Sequence, residues 1–203
     1  KYLSEHPETT AASYLKWSSS LKQQLARLKK STVEEAFQRS MYRPFFAQHA
    51  YFGPTLIHRR GTLDRIFPTA HHQNIGMYVV GFGSAVPFSV LMVNRIPDLH
   101  LTGAGSGGQF FPRWTYEKVA AKSVGAPALD LDTGPHGLEE IDEHGYRRVD
   151  NITGELLGLF RDTIGDQVTK DDIFFYVYGL LHDPHYRETF AADLKKMLPH
   201  III

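Results

Sequence analysis

The chain has 203 residues, 42% hydrophobic and 22% charged, a globular balance that excludes disordered and collagen-like classes. It holds no cysteine, which excludes thiolate metal sites, iron–sulfur clusters, thiol catalysis and any disulfide framework. Its 22 basic and 22 acidic side chains cancel, so net charge alone argues against a nucleic-acid binder, whose domains are usually basic.

Residues 1–10 are polar and read as a frayed leader. From Ala11 to Leu28 the spacing of Leu21, Leu25 and Leu28 predicts a helix. Ser31-Thr32-Val33-Glu34 has the form of a capping box. It predicts a second helix that buries Val33, Ala36 and Phe37 and ends near Tyr42-Arg43-Pro44, since the residue before proline avoids the α region. Ile75–Phe82, Phe88–Val93 and Phe110–Tyr116 are β-branched and aromatic runs separated by glycine and proline, and predict strands. The longest apolar run, Val86 to Val93, is too short to cross a bilayer. Residues 123–151 read as an acidic loop or small β excursion. Helices resume at Glu155–Ile164, after the Thr169–Asp172 cap, and after Asp183-Pro184, an N-cap followed by proline at the first helical position. Ile173, Val177, Tyr178 and Leu181 should face inward on one of these helices; Tyr186, Phe190, Leu194 and Met197 or Leu198 should do so on the last.

The expected class is therefore α+β: N-terminal helices, a central, mostly antiparallel sheet with long loops, and a C-terminal helical bundle. The expected organisation is a leader at 1–10, a basic helix and strand part at 11–122, the acidic excursion at 123–151, and a helical part at 152–203. The start at Lys1 and the Ile201-Ile202-Ile203 ending read as cut ends of a longer polypeptide. No basic segment followed by a small-residue cleavage site is visible in the first residues, so no signal peptide is expected, and the expected compartment is the cytoplasm.

Charge is unevenly spread. Residues 11–122 carry 14 basic against five acidic side chains, a net of +9, and residues 123–203 carry a net of −8. Such asymmetry suggests one face built for an anion. The competing reading is an ordinary solvated acidic tail.

Catalytic motifs mostly fail. Gly103-x-Gly105-x-x-Gly108 matches the dinucleotide fingerprint, but that motif works only between a strand and a helix, and Phe110-Phe111-Pro112 follows. No Lys-Ser or Lys-Thr makes a phosphate-binding loop of it. His71-His72 is adjacent in sequence, so on a strand the two rings point to opposite faces. Asp130 and Asp132 alternate and could share a divalent ion, which with His71 and His72 leaves a metal-dependent hydrolase as one rival reading. Ser84 and Ser106 lack a nucleophile elbow. No catalytic, cofactor or metal residue is assigned. A protein-interaction module with an acidic helical tail is the other rival.

Three segments carry a family resemblance. They are Tyr42-Arg43-Pro44-Phe45 with Tyr51-Phe52, Asp98-Leu99-His100 leading to Phe111-Pro112, and the run from Asp171 through Phe174-Phe175-Tyr176-Val177-Tyr178-Gly179-Leu180-Leu181-His182 to Lys196. Together, from about Val33 to Pro199, they resemble the C-terminal specificity region of type ISP restriction-modification enzymes. The resemblance implies a target-recognition domain, non-catalytic alone, that binds double-stranded DNA. Its partners would be methyltransferase and helicase modules of the same polypeptide. S-adenosylmethionine, ATP and Mg would belong to those modules, which would methylate adenine and cut DNA.

A domain that reads duplex DNA needs arginine and lysine for phosphates and arginine, asparagine, glutamine or serine for base edges. The basic half offers Arg59, Arg60, Arg65, His72, Gln73, Asn74, Arg95, Ser106, Gln109, Arg113 and Lys118 as DNA-contact candidates. Arg113 is favoured for base readout, because the glycine-rich loop before it can carry its strand into a groove. Arg43 reads instead as a structural partner for a carboxylate. Phe45, Phe46, Tyr51, Phe52, Phe174, Phe175 and Tyr178 read as core.

Overall fold

The computed structural model describes residues 37–53, 57, 61–81, 83–105, 107–119 and 141–203, and before them Ser19 and Gln23, both helical. The described chain is mixed α and β, with three small sheets in place of one central sheet. Strands β1 (Phe37–Arg43) and β2 (Phe46–Tyr51) form an antiparallel hairpin, and the short β5 (Ile96–Pro97) joins β1 in parallel. In the second sheet β3 (Gly76–Val80) lies between β4 (Ser89–Val93) and β6 (Gln109–Pro112), all antiparallel. The third pairs β7 (Trp114–Lys118) with β8 (Tyr146–Asp150). Helix α1 (Leu63–Ile66) precedes β3; α2 (Gly154–Ile164), α3 (Lys170–Leu180) and α4 (Pro184–Thr189) close the chain. No helix among the described residues is long and apolar enough to cross a membrane.

Strand β3 organises the packing. All five of its residues are buried, because both faces of its sheet are covered. Met77 and Val79 point to one face with Val90, and α2 to α4 pack over them with Phe160, Ile173, Phe174, Leu181 and Tyr186. Tyr78 and Val80 point to the other, with Val93 and Leu101. A third cluster, Phe52, Ile66, Phe67 and Ile96, ties the hairpin sheet to α1, and Phe110 packs against both this cluster and the Tyr78 one. Gly76 and Gly108 are required by close approach: a Cβ on either would stand inside the ring of Phe110 or Tyr78.

Several expectations hold. Strands β3 and β4 lie where the apolar runs placed them. Thr169 and Asp172 form a reciprocal capping box, and Asp183 caps α4 by accepting from the Tyr186 N–H. Strand β6, not a helix, follows the glycine-rich loop.

Others are corrected. From Phe37 the chain is strand, not the end of a helix, and Phe37 is half exposed. The run 110–116 is broken at Arg113, where the chain passes from the second sheet to the third. No C-terminal helical bundle is evident among the described residues: α2 to α4 spend their apolar faces on the second sheet. The last helix stops at Thr189, and turns carry Leu194 inward. Phe45, Phe46 and Phe175 are exposed, whereas Phe52 and Phe174 are core. The expected helix at Ala11–Leu28, apart from Ser19 and Gln23, the Ser31–Glu34 capping box and the aspartates 130 and 132 fall outside the described residues.

Phe160 is 2% exposed and meets the Tyr176 ring edge-on at 5.8 Å. Phe160→Ala should cost about 3–5 kcal/mol, because the sheet beneath and α3 beside it hold the cavity open. Thermal unfolding should show a Tm roughly 10 °C lower, and a shift under about 2 °C would refute the packing described. Phe190 is only partly buried, so Phe190→Ala should cost less.

Candidate nucleic-acid interface

The hairpin register places Arg39 opposite His49. On its other side β1 runs parallel to β5 with Ser40 facing Ile96, so the residues one step earlier, Arg39 and Arg95, are neighbours too. Arg39 and Arg95 thus form a cationic pair beside His49, with Arg39 and His49 on the hairpin strands and Arg95 in the bend that leads into β5. All three line an open cleft of about 500 Å³ whose other walls include Gln38, Thr69, His72, Gln73, Asn74 and Asn94. Among the described residues neither Arg39 nor Arg95 has an ion-pair partner. Two like charges held this close repel each other. An anion in the cleft would relieve that repulsion.

His72 to Asn74 form one wall, and burial alternates from His71 onward: His71 and Gln73 are exposed, His72 and Asn74 buried. Asn74 is fully committed. Its Nδ2 donates to the carbonyls of Ile66 (3.1 Å) and Trp114 (2.7 Å), and its Oδ1 accepts from the Ile75 N–H at 2.9 Å. This amide pins α1, β3 and β7 together. Gln38 is also spent, donating to the Phe67 carbonyl at 3.2 Å. Gln73 keeps its side chain in solvent while its carbonyl accepts from the Tyr116 hydroxyl at 2.6 Å.

His72 sits in a relay. The Thr69 hydroxyl accepts from the His71 N–H and donates to His72 Nδ1 at 2.7 Å; Nε2 then donates to Asp142 at 2.8 Å. Burial pushes the imidazole below its ordinary value, against the pull of Asp142. Burial would raise the Asp142 carboxyl, but the N–H groups of Tyr146 and His144 and the bond from His72 outweigh it and hold it low. Both groups therefore bind protons more readily in the unfolded chain. Stability should be full above about pH 6.5 and fall as His72 is forced to charge, then fall again through the carboxylate range. His72→Gln should flatten the first of these steps in Tm against pH. An equal loss near pH 6 in both proteins would refute it.

The remaining sequence candidates scatter. Arg65 on α1 reaches Glu117 at 3.4 Å, and Arg147 shares that carboxylate at 2.9 Å. Lys118 is exposed at the end of β7, over the Tyr146 ring. Gln109 pairs with Val79, toward the far end of β3 from the cleft. Arg59, Arg60 and Ser106 lie outside the described residues.

Arg113, favoured for base readout, is not on the surface. Its side chain is 6% exposed, with Nη1 donating to Asp150 at 2.6 Å and Nε to Asp171 at 2.8 Å. Lys170 adds a contact to Asp150 at 3.5 Å, and the Ile152 N–H donates to the same carboxylate. Burial would raise the Asp150 carboxyl, but these donors, Arg113 first, hold it below the usual range. Arg43, read as structural, does reach Asp98 at 3.4 Å.

Four sequence candidates thus share one cleft: His72, Gln73, Asn74 and Arg95. Sequence reasoning missed Arg39, His49 and Asn94. The Pro44-Phe45 turn alone would set Arg39 opposite Ala50; the bulge between Met41 and Arg43 shifts the register and brings Arg39 opposite His49, and no sequence signal marks that bulge.

Comparison with known proteins follows the same line. The family profile described as Type ISP C-terminal specificity domain matches residues 2–203. A solved structure of the ATP-dependent type ISP restriction-modification enzyme LlaBIII bound to DNA is similar, with TM-score 0.69 and 26% identity over 93% of this chain. The DrdV–DNA complex, seen by electron cryomicroscopy, gives TM-score 0.73 and 25% identity over 98%. A nuclease-deletion mutant of the type ISP enzyme LlaGI with a DNA substrate mimic gives 0.63 and 27% over 97%. The chain spans only 11%, 17% and 13% of those three chains. A comparison with curated protein sequences finds no match.

Proposed function

The chain belongs to the family of type ISP C-terminal specificity domains, and we propose that its cationic cleft is the surface that reads a duplex DNA target. The carrying observation is the row His49–Arg39–Arg95, whose two arginines have no ion-pair partner among the described residues, set beside the outward amides of Gln73 and Asn94. Arginine can bridge guanine O6 and N7, and asparagine or glutamine can bridge adenine N6 and N7, so this set of side chains suits base edges. The solved structures it resembles are DNA complexes, which supports the same reading.

In this reading the domain does no chemistry. It holds a site in register so that a methyltransferase module of the same polypeptide can extrude and methylate an adenine. S-adenosylmethionine, ATP and Mg would be bound by the modules outside this chain.

The test is enrichment from a pool of duplexes carrying a randomised core, followed by affinity measured across salt concentrations. We expect one motif to be enriched and log K to fall linearly with log salt, as phosphate contacts release counterions. No enriched motif, or an affinity indifferent to salt, would overturn the reading.

A further inference from the structure

The other end of the β1–β2 hairpin has the opposite character. Arg43 pairs with Phe46 across the hairpin, leaving Pro44 and Phe45 as the two-residue turn. Proline first and a positive φ second is the pattern of a type II turn, whose second place favours glycine. Here it is Phe45, at φ +66° and 95% exposed. Around it Tyr42, Phe46 and Leu99 are exposed as well. An aromatic ring held in the left-handed region and in water is doubly unfavourable for the free chain.

The tip is built to hold that ring out. The Arg43 guanidinium lies 4.1 Å from the Tyr42 ring centroid and bonds both the Tyr42 carbonyl and Asp98. Tyr42 in turn meets Phe46 edge-on at 6.4 Å. Arg43 is thereby matched by a carboxylate, so the tip offers an apolar surface with its nearest cation neutralised.

We propose that this tip, Tyr42, Phe45, Phe46 and Leu99, is the anchor by which the domain seats in an apolar socket on the methyltransferase-bearing part of the same polypeptide. The inference rests on the DNA-reading proposal for the division of labour: cleft for nucleic acid, tip for protein. Two observations favour a protein socket over DNA. A polyanion gains little from an apolar surface with a carboxylate at its base, whereas contiguous exposed apolar side chains mark protein interfaces. The chain also accounts for only 11–17% of the DNA-bound proteins it resembles, so most of such a polypeptide is available to form the socket.

The test places a photo-crosslinking phenylalanine at position 45 of the full-length polypeptide, with and without the enriched duplex. We expect a crosslink to a segment outside residues 1–203 of the same molecule, whether or not DNA is present. Phe45→Gly, which relieves the backbone conformation, should leave the Tm of the 203-residue chain unchanged or raised, and its DNA affinity unchanged. In the full-length protein the same variant should speed proteolysis between this domain and the rest by about ten-fold or more, the loss expected of an interface anchor. Phe45→Leu should restore most of the protection. Crosslinks to DNA, to a second copy or only within residues 1–203 would overturn the proposal, as would unchanged proteolysis of Phe45→Gly. The DNA-reading proposal is tested separately, and fails if the enrichment yields no motif.

Discussion

Arg113→Ala is expected to destabilise the folded chain by about 3 kcal/mol, the loss typical of breaking a buried ion pair. At this chain length that lowers Tm by roughly 6–12 °C. The guanidinium is enclosed and bridges Asp150, just after β8's valine, to Asp171 in the first turn of α3. It therefore clamps the third sheet to the helical layer at the point where the chain leaves the second sheet. Alanine removes the clamp and leaves the half-buried Asp150 carboxylate with Lys170 alone among its cations. Asp171 is well exposed and can return to water, so Asp171→Asn should cost much less than Asp150→Asn. Arg113→Lys should fall between, since one ammonium cannot match the fork that serves two carboxylates. A Tm for Arg113→Ala within about 2 °C of the parent would refute this account. The expected result reverses the sequence-based expectation that Arg113 is a surface base reader whose loss leaves stability alone.

The reversal shows what a local reading of sequence can reach. Caps are local: Thr169 with Asp172 and Asp183 with Pro184 announce their helices within four residues, and both are present. Buried strands are nearly local, so Gly76–Val80 and Ser89–Val93 were legible as apolar runs bounded by turn residues. Strand β1 was not legible, because its alternation is inverted. Its buried positions are Gln38 and Ser40 and its exposed ones include Phe37, so no apolar stripe of period two exists to be read. A capping-box pattern at Ser31–Glu34 then tipped the reading toward helix. Arg113 failed for a different reason. Its partners lie 37 and 58 residues away, and only the fold shows that its strand ends beneath α3.

The cleft was half legible for the same cause. His72, Gln73, Asn74 and Arg95 were visible as polar residues at strand ends, but two of them face inward and work as structural hydrogen-bonding groups. Arg39 and His49 become a pair only through hairpin register, and Arg95 joins them only through a parallel contact across more than fifty residues.

That row carries the second large effect. The double variant Arg39→Ala/Arg95→Ala should weaken binding to the enriched duplex by about a hundred-fold or more, at one to three kcal/mol for each arginine that reads a base. Its Tm should stay level or rise slightly, because two neighbouring like charges have been removed. The single variants then assign the roles. An arginine that touches phosphate should weaken all sequences alike and reduce the salt slope by about one, whereas a base reader should relax the preference at one position of the motif. Arg65→Ala is the matched control: its guanidinium already meets Glu117, so it has less charge to offer DNA. If Arg65→Ala costs as much affinity as the double variant, the binding surface lies along α1 and β7, and the cleft is not the reading site.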